Sequence, residues 1–217
     1  MIKLKLSSRL QTIADLIDDN SRVYDIGCDH AHLDIYLTLY RHNIKCIATD
    51  INPKVLEYAN LNIRKYNLEN NIEVIKSNGL DNLDVIPTDV IVISGLGTST
   101  ITKIVENNIR KLPNTMIIQT NNDVVRIRKK IVQLGYYIEQ EKFIYEKKKI
   151  YVIIRFIKGI SNYKNIDYLL GPILKDDKKF LQKNIDKHKA ILSNLPNKYW
   201  LKRLKIMYIV YKLKKRL

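Results

Sequence analysis

The sequence predicts a doubly wound α/β domain built on a mostly parallel sheet, followed by an antiparallel helical hairpin. Three observations carry this reading. Short apolar runs alternate with helical patterns as far as Gly135. Two strand patterns, Tyr136 to Tyr145 and Ile150 to Ile157, then follow each other with no helix between them. Beyond Leu174 the apolar residues fall on alternating spacings of three and four. The 217 residues have room for one domain with a buried core and an appendage.

In chain order, an amphipathic helix is expected from Leu6 to Ile17, with Leu10, Ile13 and Leu16 on one face and Ser7 or Ser8 as N-cap. Val23 to Ile26 is the first strand, followed by a helix through Leu33, Leu37 and Tyr40. Lys45 to Thr49 is the second strand, and Pro53 stands where a first-turn helix proline belongs. Ile72 to Ile75 and Asp89 to Ile93 are the third and fourth strands, the latter leading through a Gly95-Leu96-Gly97 turn into a helix. Met116 to Gln119 is the fifth, and its helix stops at Gly135. This gives five βα units closed by a hairpin with the charged turn Glu146-Lys147-Lys148-Lys149, seven strands in all. A dinucleotide-binding Rossmann domain would end in a sixth parallel strand. An antiparallel strand at that end is the pattern of a class I, Rossmann-like methyltransferase.

Gly159 to Pro172 reads as a linker, dividing the chain into a domain over residues 1–158 and a helical hairpin over 159–217. Leu174, Leu181, Ile185, Leu192 and Leu195 mark one helix, and Pro196-Asn197 the turn. Trp200, Leu204, Met207 and Tyr211 mark the apolar seam of the second helix, and His188 a seam position beside solvent.

Charge is unevenly distributed. Residues 158–217 hold 16 basic and 4 acidic residues, whereas residues 1–157 hold 22 and 18. A balanced body with a strongly basic tail is the electrostatic footprint of a polyanion binder, and nucleic acid is the expected partner. The longest apolar runs, such as Val90 to Ile93, have strand length, so no membrane span is expected. MIKLKLSSRL lacks the apolar core and cleavage site of a secretion signal, and Cys28 and Cys46 read as reduced thiols, so a cytoplasmic location is expected.

A doubly wound sheet binds its ligand beyond the carboxyl ends of the strands. The polar residues there are Asp25 to His30, Asp50, Ser77 to Leu80, Ser94 to Gly97 and Gln119 to Asn122. The first loop, DIGCDHAHL, lacks the glycines of a pyrophosphate cradle, and Asp29 would repel a diphosphate. S-adenosylmethionine has no phosphate and carries a sulfonium and an ammonium, for which Asp25 and Asp29 are favourable partners. Asp50 is placed to accept ribose hydroxyls, and Asn78-Gly79 to border an adenine. Cys28, His30 and His32 alternate, but His32 falls inside the next helix and no second Cys/His cluster completes a ligand set, so no metal is expected.

The strings DIGCDHAHL, ATDINPKVLEYA, SNGL, ISGLGTSTI and QTNNDVVRIRKK resemble the bacterial TrmK family over essentially the whole chain, the LLGPIL linker included. Members are class I tRNA adenine-22 N1-methyltransferases with a C-terminal coiled coil. The family usually has GMGG where this chain has Gly95-Leu96-Gly97-Thr98, and QPN where it has Gln119-Thr120-Asn121. The resemblance implies that Asp25, Gly27, Cys28, Asp29, His30, Asp50, Ile51, Asn78, Gly79, Leu80 and Gly95 line the methyl donor. It implies that Gly97, Gln119 and Asn121 border the target base, and that basic residues of the hairpin such as Lys202 and Arg203 hold the tRNA of a monomeric enzyme. Asp29 is the candidate catalytic carboxylate. A catalytically silent tRNA-binding protein, or a methyltransferase of another RNA base, stays open on sequence grounds.

Overall fold

The computed structural model describes residues 4–146 and 149–217, so residues 147 and 148 of the expected hairpin turn lie outside the described residues. The chain divides into two compact units, one of residues 1–144 with 151–161, the other of 145–150 with 162–217.

In the first unit, helix α1 (Ser8–Ala14) starts at Ser7, whose side chain accepts from the Leu10 N–H. It is shorter than expected: Leu16 and Ile17 close 3₁₀-type bonds to Ile13 and Ala14 and stay buried outside the helix. The strands are β1 (Arg22–Ile26), β2 (Lys45–Asp50), β3 (Ile72–Lys76), β4 (Val90–Leu96), β5 (Thr115–Thr120), β6 (Tyr136–Glu146) and β7 (Lys149–Lys158). They form one sheet in the order β3-β2-β1-β4-β5-β7-β6. β1 to β5 are parallel, and β7 runs antiparallel to β5 with Thr115 opposite Ile157. The last strand of the chain therefore lies between β5 and β6.

Helices α2 (His32–Tyr40), α3 (Pro53–Lys65), α4 (Thr98–Asn107) and α5 (Val124–Gln133) follow β1, β2, β4 and β5. The chain thus has four strand–helix units, one fewer than expected. Ser77 to Asp89 crosses from β3 to β4 in turns, because Gly79 and Asn82 take left-handed conformations and Pro87 lacks an N–H. Side-chain alternation puts Val23, Val90, Val92 and Ile117 into one core with α1, α2 and α3. Ile91, Ile93, Met116 and Ile118 alternate with them and are equally buried, on the face that α4 and α5 cover.

The basic pattern of α5 hides one exception. Arg128 is fully buried, and its Nε donates to Glu141 Oε1 on β6 at 2.7 Å, a carboxylate that is also fully buried.

The second unit holds α6 (Asn165–Leu170), inside the stretch expected to be a linker, then α7 (Lys178–Asn194) and α8 (Trp200–Lys214). Asp177 caps α7 by accepting from the Phe180 N–H at 2.8 Å. Leu181 and Ile185 of α7 are buried as expected. His188 is half-buried, its Nδ1 at 2.7 Å from the Asn184 carbonyl. On α8 the expected seam is wrong: Ile206 and Leu213 are buried, whereas Trp200, Leu204, Met207 and Tyr211 are exposed. Among the described residues no helix is long and apolar enough to cross a membrane.

Removing one partner of the Arg128–Glu141 pair leaves a charge in the core. Arg128→Met is expected to lower unfolding free energy by about 3–5 kcal/mol in urea titrations, and adding Glu141→Leu to restore most of it.

Candidate active site

Two adjoining cavities open at the carboxyl ends of β1, β2 and β4. One, of about 290 Å³, is lined by Arg9, Asp25, Cys28, Asp29, His30 and Gly95 among others; the second, of about 440 Å³, by Ile51, Ser77, Asn78, Gly79 and Ile104 among others. Gly27, Asp50 and Leu96 line both. The end of β1 therefore sits at the waist of one elongated site.

The first loop solves its missing glycines by strain. Gly27, Asp29 and Ala31 all have left-handed φ, +80°, +54° and +55°. Glycine tolerates this freely, whereas an alanine or aspartate gives up on the order of 1 kcal/mol. The surrounding bonds hold the shape: the Gly27 and Cys28 N–H groups both donate to the Thr49 carbonyl, at 2.8 and 2.9 Å, and Ala31 N–H to the Cys28 carbonyl at 2.9 Å. Asp29 consequently projects into solvent, its side chain 79% exposed, with His30 Nε2 at 3.5 Å.

Asp25 is buried, and beneath it on α2 lies Asp34, fully buried. Among the described residues the Asp34 carboxyl oxygens meet no donor in good hydrogen-bond geometry; their own backbone N–H and the Asp25 carboxyl are the polar groups closest to serving them. Burial pushes Asp25 up to about 7, against the opposing influences of Asp34 and Arg9, while the charges of Asp29 and Asp50 add to the rise. Burial, then the Asp25 charge, raises Asp34 as well. Two desolvated carboxyl groups in contact hold a shared proton. The same cluster keeps Cys28 and Cys46 as thiols, raised by burial first and by the nearby acids second. Burial and His30 lower His32, the first residue of α2, which keeps its ring neutral.

Asp50 closes β2 with one carboxylate oxygen accepting from the Asn52 N–H at 2.8 Å. Gly79 is a required glycine: its φ is +65°, and an added Cβ would lie 3.1 Å from Ile104. Leu80 is fully buried and lines neither cavity, unlike the other residues expected on the donor side.

At the ends of β4 and β5 a register shift between Ser94 and Leu96 turns Gly95 outward. Gln119 is fully buried, and its Oε1 accepts from Arg9 Nη1 at 3.1 Å and from Gly95 N–H at 3.0 Å. Asn121 Nδ2 donates to the Gly95 carbonyl, so both backbone polar groups of that residue are pinned. Gln119 is thus a bracket inside the wall, and Asn121 is the amide that reaches solvent. Gly97 lies outside both cavities as the N-cap of α4. Thr98 and Thr120, two of the positions that differ from the family's usual strings, bond to each other at 2.8 Å through their hydroxyls. Asn122 Oδ1 accepts from both Thr98 N–H, at 2.8 Å, and Thr98 Oγ1, at 2.6 Å.

In the second unit, Lys202 is exposed. Arg203 is committed elsewhere: its guanidinium donates to the Leu192 and Leu195 carbonyls at the end of α7. Sequence reasoning missed Arg9 and Asp34. Neither belongs to a motif, and only the fold brings them to β1, β4 and β5. Among the described residues no group of three His, Cys, Asp or Glu side chains is arranged to hold a metal.

Comparison with known proteins agrees with this geometry. The family model described as a methyltransferase domain matches residues 6–154. The tRNA (adenine(22)-N(1))-methyltransferase of Bacillus subtilis is 32% identical over 193 residues, 84% of this chain and 81% of that protein. The structure of M. capricolum TrmK with S-adenosyl-homocysteine superposes with a TM-score of 0.80 at 32% identity, covering 97% of this chain and 96% of that one. Streptococcus pneumoniae Sp1610 in complex with S-adenosyl-L-methionine superposes with a TM-score of 0.86 at 28% identity, covering 98% and 100%. The chain belongs to the methyltransferase-domain family and, within it, to the TrmK family.

Proposed function

We propose that this chain transfers a methyl group from S-adenosylmethionine to N1 of adenine 22 in tRNA, giving 1-methyladenosine. The observation that carries the reading is the charge of the site. Asp25 and Asp29 line the smaller lobe, Asp50 lines both lobes, and Asp34 lies buried behind Asp25, while Arg9 is the one arginine or lysine among the described residues lining the smaller lobe. A diphosphate would meet net repulsion there, whereas a sulfonium and an ammonium meet complementary charge. The relatives' printed activity, and the methyl donor and its product in two of the solved structures, support the same choice of ligand.

The residues divide the work along the cavity. Asp25, held over Asp34, faces the cationic methionine end together with Asp29. Asp50 keeps one carboxylate oxygen for the ribose hydroxyls, its other being used by Asn52. Ile51, 60% exposed on its own, offers apolar surface to the adenine, beside Asn78 and Gly79. When bound, S-adenosylmethionine supplies a methyl on a positively charged sulfur that departs as a neutral thioether.

Adenine N1 is nucleophilic while neutral, so the protein's main contribution is alignment of the base. The pinned Gly95 backbone and the exposed Asn121 amide form the rigid lip where that base would rest. N1 lies on the pairing edge, so the base must leave its stack to arrive there. The methylated ring carries a positive charge, which Asp29 is placed to stabilise. The basic second unit, Lys202 included, supplies the phosphate contacts that position tRNA without reading its sequence.

Nucleoside mass spectrometry of tRNA incubated with protein and methyl donor tests the activity. The expected product is 1-methyladenosine at position 22; donor binding with no methylated nucleoside would overturn the reading. Asp29→Asn is expected to lower kcat about tenfold and donor affinity by much less, modest factors because the exposed carboxylate is screened. An equal loss in both would make Asp29 a donor contact only. The raised carboxyl pair also sets a pH dependence. The folded protein holds protons that the unfolded chain releases above about pH 4, so stability falls as pH rises from about 4 through 7 and beyond. Asp34→Asn places an amide donor against Asp25 and should flatten that slope. Urea unfolding at pH 8 is expected to show a gain of about 1–3 kcal/mol for the variant over the wild type.

A further inference from the structure

Helix α8 has two apolar faces, and α7 covers one of them. Ile206 and Leu213 are buried, with Arg203, Ile209 and Val210 half-buried beside them. Trp200, Leu204, Met207 and Tyr211 occupy the other side at 60%, 54%, 53% and 59% exposure, with Leu201 and Tyr208 next to them. These residues repeat at spacings of four, three and four, so they form one continuous stripe about 16 Å long. An exposed apolar stripe of this size marks a binding surface.

Its charge selects the occupant. Lys205 and Lys212 flank this apolar face on the side of Leu201 and Tyr208, and α8 contains no acidic residue. A second copy docked through the same face would bring lysine rows together with no acid on either helix to offset them. A strand of nucleic acid fits both halves of the pattern, phosphates against the lysines and flat base faces against the rings. The Lys212 ammonium already lies 5.3 Å from the centre of the Tyr208 ring, and the Lys198 ammonium 5.3 Å from that of Tyr199. A cation thus lies beside a ring both on α8 and just ahead of its first residue.

We propose that the exposed face of α8, with Trp200, Tyr208 and Tyr211 as its ring faces and Lys205 and Lys212 as its flanking cations, is a stacking surface for unpaired bases of the tRNA. This rests on the reading of tRNA as substrate and adds to it: the second unit grips bases as well as phosphates. Extruding one base from the stack exposes the faces of its neighbours, and such a surface would receive unstacked bases of the same molecule.

Trp200 is the one tryptophan of the chain, so its emission reports on this surface alone. The full chain is titrated with unfractionated bacterial tRNA and with a fully paired RNA duplex, and 1-methyladenosine is measured in the same tRNA samples. Saturable quenching of Trp200 by tRNA, with far less quenching by the duplex, is expected. Trp200→Ala and Tyr211→Ala should each weaken tRNA binding about 5- to 100-fold, and Trp200→Phe should keep most of the affinity. Because both side chains are exposed, the alanine variants should melt like the wild type. Methylation of tRNA with Trp200 emission unchanged would overturn the stacking surface and spare the methyltransferase reading. Quenching by tRNA with no methylated nucleoside would do the reverse. A blue shift of Trp200 on phosphatidylglycerol vesicles, or with rising protein concentration, in the absence of any response to tRNA would assign the stripe to a membrane or to a second copy and overturn the proposal.

Discussion

The site is organised around one constraint: two carboxyl groups, Asp25 and Asp34, are buried together beneath the end of β1. In a low-dielectric surrounding both cannot ionise at little cost, and the pair keeps a proton that solvent-exposed acids would lose. Everything nearby is adjusted to that charge. The thiols of Cys28 and Cys46 stay protonated, and His32 stays neutral. Arg9 reaches across from α1 and lowers the cost of ionising Asp25 while its guanidinium fixes Ser94 and Gln119. A ligand that brings a positive charge completes this arrangement, and a pyrophosphate would oppose it.

The backbone shows how a nucleotide loop survives the loss of its glycines. Asp29 and Ala31 keep the left-handed conformations that glycines would supply, held by the bonds from Gly27 and Cys28 to Thr49. Strain retained at such a position is characteristic of a site whose side chains matter. Here the strain sets Asp29 at the rim, where a glycine would leave no charge. On the opposite lip, Thr98 and Thr120 depart from the family's usual glycine and proline as a bonded pair. Together with Asn122 they tie the start of α4 to the end of β5, so two substitutions that look independent in the sequence are one local solution.

The succession of strands along the chain and the closing hairpin were legible because period-two and period-3.6 patterns are local properties of the chain. Asp25, Asp50 and Asn78 were legible because a parallel sheet confines ligand chemistry to strand ends. Arg9 and Asp34 were not, since their importance comes from contacts across 110 residues in one case and from burial in the other. Leu80 shows the opposite error, a residue inside a motif string that the fold turns into the core. The seam of α8 failed for a physical reason. A helix apolar on two faces offers two stripes of the same period, and spacing alone does not say which one its neighbour covers. Arg128 misled in the same way, one cation of a basic helix being the one that points inward.

The account turns on the claim that a shared proton beneath β1 is tuned to a cationic donor. Calorimetric titration with S-adenosylmethionine at pH 6 and pH 8, in buffers of different ionisation enthalpy, measures this directly. The account predicts tighter binding at pH 8 and release of a proton on binding at pH 6, because the bound cation favours ionised Asp25. Affinity independent of pH, with no proton released in either buffer, would contradict it.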